Sequence, residues 1–247
     1  MRKDYIKISK TKNLNVYKDK NYKMLFNDYN KSTLNKLDFI ENSIKLPYFE
    51  VPTYTRKTIW GKEIIFIPFT DKLFKIVDTY IDDTSIQLHP LKNEKWFPLK
   101  ETIIYDGKKW ITVNSSDIVS IDSKSIHCMK KGGMVFEIQD NIIFDDKETI
   151  RIFDVNNREI ADDITILKNT MPQIRNNVKI IKNKIINKIN NQNDLFIFCI
   201  DGEINLKVNK KNIRLNTHKL YYINQKYVKF IEINGICAMC TAKYFEV

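Results

Sequence analysis

The sequence predicts an all-β protein, and three observations carry that prediction. From about residue 80 onward, short apolar runs recur every 8 to 12 residues with turn residues between them, the spacing of a sandwich or barrel. Asp106-Gly107 and Asp201-Gly202 each sit between β-prone segments, where glycine supplies the positive φ that a tight hairpin needs. Ile204, Leu206 and Val208 alternate with Glu203, Asn205, Lys207 and Asn209, the period of a strand with one buried and one wet face.

Taken in chain order, the first 50 residues alternate aromatics with Lys and Asn, and Lys36 to Lys45 reads as one short helix; no chemistry is legible there. A hairpin is expected from Ile103-Ile104-Tyr105 and Trp110-Ile111-Thr112-Val113, and a second from Leu195 to Ile200 and Ile204 to Val208. Further strands are expected at Leu220 to Ile223, Val228 to Ile233 and Ile236 to Ala242. Residues 84 to 140 and 190 to 245 thus form two β units of similar layout joined by a polar stretch at 159 to 192, a weak internal repeat. Val178 to Ile189 stays open, because isoleucines at 180, 181, 185, 186 and 189 suit a helix as well as a broken strand.

Composition narrows the class. With 247 residues, 43% hydrophobic and 12% aromatic, and only six Gly and six Pro, the chain is a folded protein and not a disordered one. No signal peptide opens it, and no apolar run approaches the ~18–20 residues that a membrane span needs, so a soluble, cytoplasmic protein is expected. The net charge of +11 favours an anionic partner, although the Lys, Asn and Ile enrichment along the whole chain also fits an A/T-rich coding preference. No compact basic motif and no interleaved aromatic platform supports nucleic acid as that partner. Cys128, Cys199, Cys237 and Cys240 are too few for a disulfide framework and are expected to be reduced and buried. The Cys237-x-x-Cys240 pair lies in a core-like segment with no second pair to complete a metal site.

Chemistry concentrates around two of the three histidines. In Thr84 to His89, Ile86 and Leu88 face one way while Gln87 and His89 face the other, so two potential ligands share a face. Glu94 follows five residues later, after a Pro90-Leu91 turn that can return it to the first pair, and His127 lies on a later strand at the distance two hairpins span. Each histidine alone is more often a hydrogen-bonded structural residue. As a set, two imidazoles, one carboxylate and one amide oxygen suffice for an open, catalytic metal site. His218, between Thr217 and Lys219, has no ligating neighbours and reads as structural.

The motif Ser85-Ile86-Gln87-Leu88-His89-Pro90, followed by Leu91-Lys92-Asn93-Glu94-Lys95-Trp96, resembles the metal-binding segment of the phosphomannose isomerase family of cupins. The resemblance continues through Ile126-His127, Gly132-Gly133, Phe136-Glu137-Ile138-Gln139, Thr149-Ile150-Arg151-Ile152-Phe153-Asp154 and Arg158, and upstream through Arg56-Lys57-Thr58-Ile59-Trp60-Gly61. It covers roughly residues 50 to 245 and is densest from 84 to 158. Departures include Lys147 where the family usually carries Asp, Asp122 and Lys124 for Pro and Gly, Asn157 for Gly, and a shortened segment from 62 to 86.

The resemblance implies two cupin barrels in tandem. Residues 1–50 would be an N-terminal segment of unassigned role, 51–160 a metal-binding cupin domain, and 161–247 a cupin-like domain without ligands. It implies one divalent metal, Zn2+ first among candidates, on Gln87, His89, Glu94 and His127. The implied reaction interconverts mannose 6-phosphate and fructose 6-phosphate, or a related sugar phosphate, through a cis-enediol. Arg151 and Lys92 would serve as cations beside the reacting oxygens, and Glu137 as the proton-handling group or as a carboxylate that orients His127. The partner would be a small molecule and neither nucleic acid nor membrane. Two other readings stand beside this one: a metal-containing sugar or sugar-phosphate binder without turnover, and an iron cupin oxygenase.

Overall fold

A computed structural model describes residues 6–10, 15–18, 35–36, 39–40, 42–67, 70, 72–140, 149–153, 178–186, 194–208 and 211–242. Most of the described residues are in strands, and the rest are mainly turns and loops. Near the N-terminus, β1 (Ile6–Lys10) pairs with β2 (Asn15–Lys18). The described residues between 35 and 43 are helical, as expected for that segment. There follow β3 (Tyr48–Glu50), β4 (Thr53–Lys57), β5 (Lys62–Phe66), β6 (Leu73–Asp78), β7 (Ile86–Leu88), β8 (Glu94–Pro98), β9 (Thr102–Tyr105), β10 (Trp110–Val113), β11 (Val119–Ile121), β12 (Cys128–Met129), β13 (Met134–Gln139) and β14 (Ile150–Phe153). The chain ends with β15 (Val178–Ile186), β16 (Asp194–Val208), β17 (Lys211–Leu215), β18 (Leu220–Ile223) and β19 (Val228–Ala242). Among the described residues no helix is long and apolar enough to cross a membrane.

Two six-stranded antiparallel sheets dominate: β11-β8-β13-β6-β5-β4, and β15-β19-β16-β18-β3 with β17 added beside β16. Opposite the inner face of the first lie the three-stranded sheet β10-β9-β12 and the pair β14-β7. Alternation explains why β13 is buried along nearly its whole length. Phe136 and Ile138 enter a core shared with the second sheet, where Phe196, Phe198 and Tyr222 meet them. Val135, Glu137 and Gln139 turn the other way, into the interior of the first unit. A strand covered on both faces loses the one-sided pattern of a surface strand. The face of β16 turned from the shared core, with Leu195, Ile197 and Cys199, builds a separate core with Ile231, Ile233 and Cys237. Residues from the first 50 join this arrangement: β3 pairs with β18, and Ile40 and Phe49 enter the shared core.

Several expected elements take a different form. The hairpin at Asp106-Gly107 is present, with Asp106 accepting from the amides of Lys108 and Lys109. The one at Asp201-Gly202 is absent: β16 runs straight through it, and β19 likewise runs through Gly235 as one strand instead of two. The register shifts between Cys199 and Asp201, and Gly202 (φ 81°) faces Gly235 across the ladder. A Cβ on Gly235 would lie 2.1 Å from the carbonyl oxygen of Asp201, so this glycine permits a close backbone approach at a bulge and not a turn. Val178–Ile186, left open by its periodicity, is a strand because β19 offers it a free edge. The four cysteines are buried, and none is in a disulfide.

Candidate metal centre

The ligand wall is built by backbone pairing. Gln87 donates its amide to His127 O at 3.0 Å and accepts from His127 N at 2.9 Å, so the two residues sit side by side. His89 continues past β7, and the turn after it is tied down by Lys124 N donating to His89 O (2.7 Å) and Ser123 N donating to Asn93 Oδ1 (2.7 Å). That turn delivers Glu94 as the first residue of β8, where it pairs with Gln139 of β13 and Ile121 of β11, the two neighbouring strands of its own sheet.

The ligating atoms of His89, Glu94 and His127 all lie within 4.8 Å of one another, and all three residues are buried. His89 Nε2 is 3.3 Å from Glu94 Oε1, and His127 Nε2 is 3.6 Å from Glu94 Oε2. Both imidazoles thus aim Nε2 at one point. Their other nitrogens are engaged from behind: His127 Nδ1 lies 3.0 Å from Ser125 O, which can only accept, and His89 Nδ1 lies 3.4 Å from Thr149 Oγ1. The carbonyl keeps the proton of His127 on Nδ1 and frees its Nε2 lone pair for a metal, and the Thr149 hydroxyl can accept from His89 Nδ1 in the same tautomer. The Gln87 amide is 3.4 and 3.5 Å from the two Nε2 atoms, and Ser85 Oγ donates to its Oε1 at 3.1 Å. A hydroxyl accepts as readily as it donates, so turning the amide to present Oε1 to the centre keeps that bond.

The protonation states also suit a metal. Burial opposes the charge on Glu94, but Lys92, His89, His127 and Lys75 together hold its carboxyl well below the usual range. Burial lowers the pKa of His127 and keeps its ring neutral. Carboxylate and neutral imidazole are the forms that ligate. Trp96 Nε1 donates to Glu94 Oε2 at 3.2 Å, and its ring stands edge-on to His127 at 5.3 Å, so one side chain fixes two ligands.

The group opens on a cavity of about 500 Å3, within the ~300–1,000 Å3 usual for small-molecule sites. Lys92, Glu137 and Arg151 line the same cavity. Lys92 Nζ pairs with Glu94 Oε1 at 3.0 Å, while Arg151 is exposed and pairs in register with Gln87 across β14 and β7. Burial, with the charge of Glu94 nearby, pushes the Glu137 carboxyl up to about 7, against the pull of Lys75 and Lys92. The partners of Glu137 are Lys75 (3.2 Å) and Gln139, and it is Ser125 that meets His127 Nδ1. Asp146, Lys147, Glu148, Asp154, Asn157 and Arg158 lie outside the described residues. His218 is remote, stacked parallel to Phe198 with its amide donating to Cys199 O.

Two charged cavity residues escape a reading of the sequence, Glu63 and Lys75, and Arg56 is visible there only as part of the resembling segment. Their signal was a charge inside an apolar strand, Glu63 before Ile64-Ile65-Phe66 and Lys75 between Phe74 and Ile76. Counting Lys57, Lys92 and Arg151, cations outnumber carboxylates around the cavity, a field suited to an anionic ligand.

No family model and no curated protein sequence matches the chain. Solved structures do. The mannose 6-phosphate isomerase of Bacillus subtilis aligns over 79% of this chain and 99% of its own, with a TM-score of 0.56 and 14% identity. A protein from Archaeoglobus fulgidus assigned as a mannosephosphate isomerase aligns over 79% and 97%, with a TM-score of 0.52 and 10% identity. An oxalate decarboxylase aligns over 81% and 78%, with a TM-score of 0.50 and 8% identity. These likenesses establish an all-β cupin fold, which an isomerase and a decarboxylase share, so the barrel alone does not choose a reaction.

Proposed function

We propose that this chain is a metal-dependent aldose–ketose isomerase that interconverts mannose 6-phosphate and fructose 6-phosphate or a closely related sugar phosphate. The observation that carries this reading is the buried His89–Glu94–His127 group, of which His89 and Glu94 line a cation-rich cavity whose wall also bears a buried carboxyl, Glu137. The fold shared with mannose 6-phosphate isomerase agrees with it.

His89, Glu94, His127 and Gln87 would hold one divalent ion, Zn2+ first, which supplies Lewis acidity toward the substrate oxygens. Glu137 takes the proton from one carbon and returns it to its neighbour; a carboxyl that titrates near neutrality is matched to both halves of that transfer. Lys92, held on Glu94, and Arg151, at the mouth, offset negative charge as it develops on the substrate. The division into a metal-binding unit at 51–160 and a ligand-free cupin-like unit at 161–247 belongs to this proposal. So does a small anionic sugar as the partner.

A coupled assay for conversion of mannose 6-phosphate to fructose 6-phosphate, on zinc-loaded protein and after chelation, tests the reaction. Turnover that vanishes on chelation and returns with zinc is expected. Absence of turnover with metal bound would favour the second reading, a sugar-phosphate binder, which the exposure of Arg151 also favours.

The pH profile follows from Glu137. Proton abstraction requires the carboxylate, so kcat/KM rises with pH through its pKa, with a midpoint at or below about 7 because a bound cation lowers it further. Glu137→Gln is expected to lower kcat by about 10²–10⁴-fold and to abolish that limb. An unchanged limb in the variant would assign the proton transfer to another group.

A further inference from the structure

Four charged side chains alternate in sign across the adjacent strands β4, β5, β6 and β13. Arg56 Nε donates to Glu63 Oε2 at 2.7 Å, Lys75 Nζ meets Glu63 Oε1 at 3.0 Å, and the same Nζ meets Glu137 Oε1 at 3.2 Å. Arg56 faces Glu63, and Lys75 faces Glu137, directly in strand register. Glu63 and Glu137 are 3% and 1% exposed. Burying such a row opposes folding, and apolar side chains of similar volume would pack the interior at least as well. Stability is therefore a poor reason for it. All four residues line the cavity that Gln87, His89 and Glu94 also line.

We infer that Lys75, braced by Glu63 and Arg56, is a positioning residue that fixes the Glu137 carboxylate against the candidate metal centre. The inference deepens the isomerase reading and rests on the role given there to Glu137. Among the described residues, both partners of Glu137, Lys75 and Gln139, meet Oε1, which leaves Oε2 for the migrating proton. A glutamate has three side-chain torsions, and a displacement of about 1 Å can cost a reaction roughly 10²-fold. Gln139 alone comes from the same strand and holds the carboxylate along one direction; Lys75 adds a second anchor from β6. Lys75 is itself held by Glu63, so the brace extends across three strands before reaching Arg56.

The test uses the full zinc-loaded chain and the variants Lys75→Met and Lys75→Arg. With mannose 6-phosphate, Lys75→Met is expected to lower kcat by about 10²-fold and to leave KM within about threefold, the pattern of an interaction lost only in the transition state. Bound zinc should be unchanged, and Lys75→Arg should recover most of the kcat. A wild-type kcat in Lys75→Met, or a loss that only tracks lost zinc, overturns the inference. Crystal structures of the wild type and Lys75→Met provide a readout that needs no turnover. Glu137 turned away from the centre in the variant supports the inference, and Glu137 unmoved on Gln139 alone overturns it. Absence of isomerisation by the wild type would remove the reaction while leaving this structural comparison decisive for Lys75.

Discussion

His89→Ala is expected to strip the chain of zinc under dialysis that leaves the wild type with about one equivalent, and to abolish turnover with it. The loss in affinity should exceed the roughly 10–100-fold carried by hydrogen-bond partners outside the ligand set, because a donor itself disappears. His89 Nε2 has no substitute among the described residues: His127 and Gln87 already belong to the ligand set, Lys92 is committed to its ion pair with Glu94, and the Trp96 indole N–H can only donate. Glu94→Ala should lose zinc as well, but it also removes the carboxylate against which the Lys92 ammonium is buried. Breaking a buried ion pair from one side opposes folding, so this variant should also melt earlier. Glu94→Gln keeps the volume and separates the two effects. Metal analysis and thermal melts on the three variants check the sequence of expected losses. Retention of a full equivalent by both alanine variants would show that the ligands have been misassigned.

Phe198→Ala is expected to destabilise the fold by about 3–5 kcal/mol while leaving the metal ligands intact. Phe198 on β16 stacks on Phe136 of β13 with ring centroids 3.8 Å apart and planes 2° from parallel, and Phe66 approaches each ring edge-on at 6.1 and 6.2 Å. Phe136 and Phe198 are essentially inaccessible to solvent, so truncation opens a cavity where the two large sheets meet. For a chain of this size, each kcal/mol is worth roughly 2–4 °C in Tm, which places the expected shift on the order of 10 °C. Zinc binding in the folded variant should be unchanged, because the core that holds Phe198 contains none of Gln87, His89, Glu94 and His127. A shift under about 2 °C would mean that the sheets do not share one core.

The site was more legible in the sequence than the sheet that supports it. Gln87 and His89 could be placed together because alternation along a strand is local, and Glu94 could be returned to them because the intervening turn is short. His127 needed a long-range pairing, which the hairpin spacing allowed and the family resemblance made specific; the reciprocal bonds between its backbone and that of Gln87 are the physical reason it arrives. Asp201-Gly202 shows the converse. Its local chemistry is that of a hairpin, but its conformation answers to Gly235 on a strand far along the chain, which no local pattern reveals. Val178–Ile186 was ambiguous for the same reason, since β19 decides its state. Glu63 and Lys75 were visible as charges among apolar neighbours, yet their partners lie on other strands, so the charge row could be recognised only once β4, β5, β6 and β13 stood side by side.

X-ray absorption at the zinc edge of the loaded full chain tests the central claim most directly. A single zinc environment with two imidazoles and oxygen donors at about 2.0–2.2 Å is predicted, reduced to one imidazole in His89→Ala. Sulfur at about 2.3 Å, which would place the metal on cysteines such as Cys237 and Cys240, or an imidazole count that His89→Ala leaves unchanged, would contradict it.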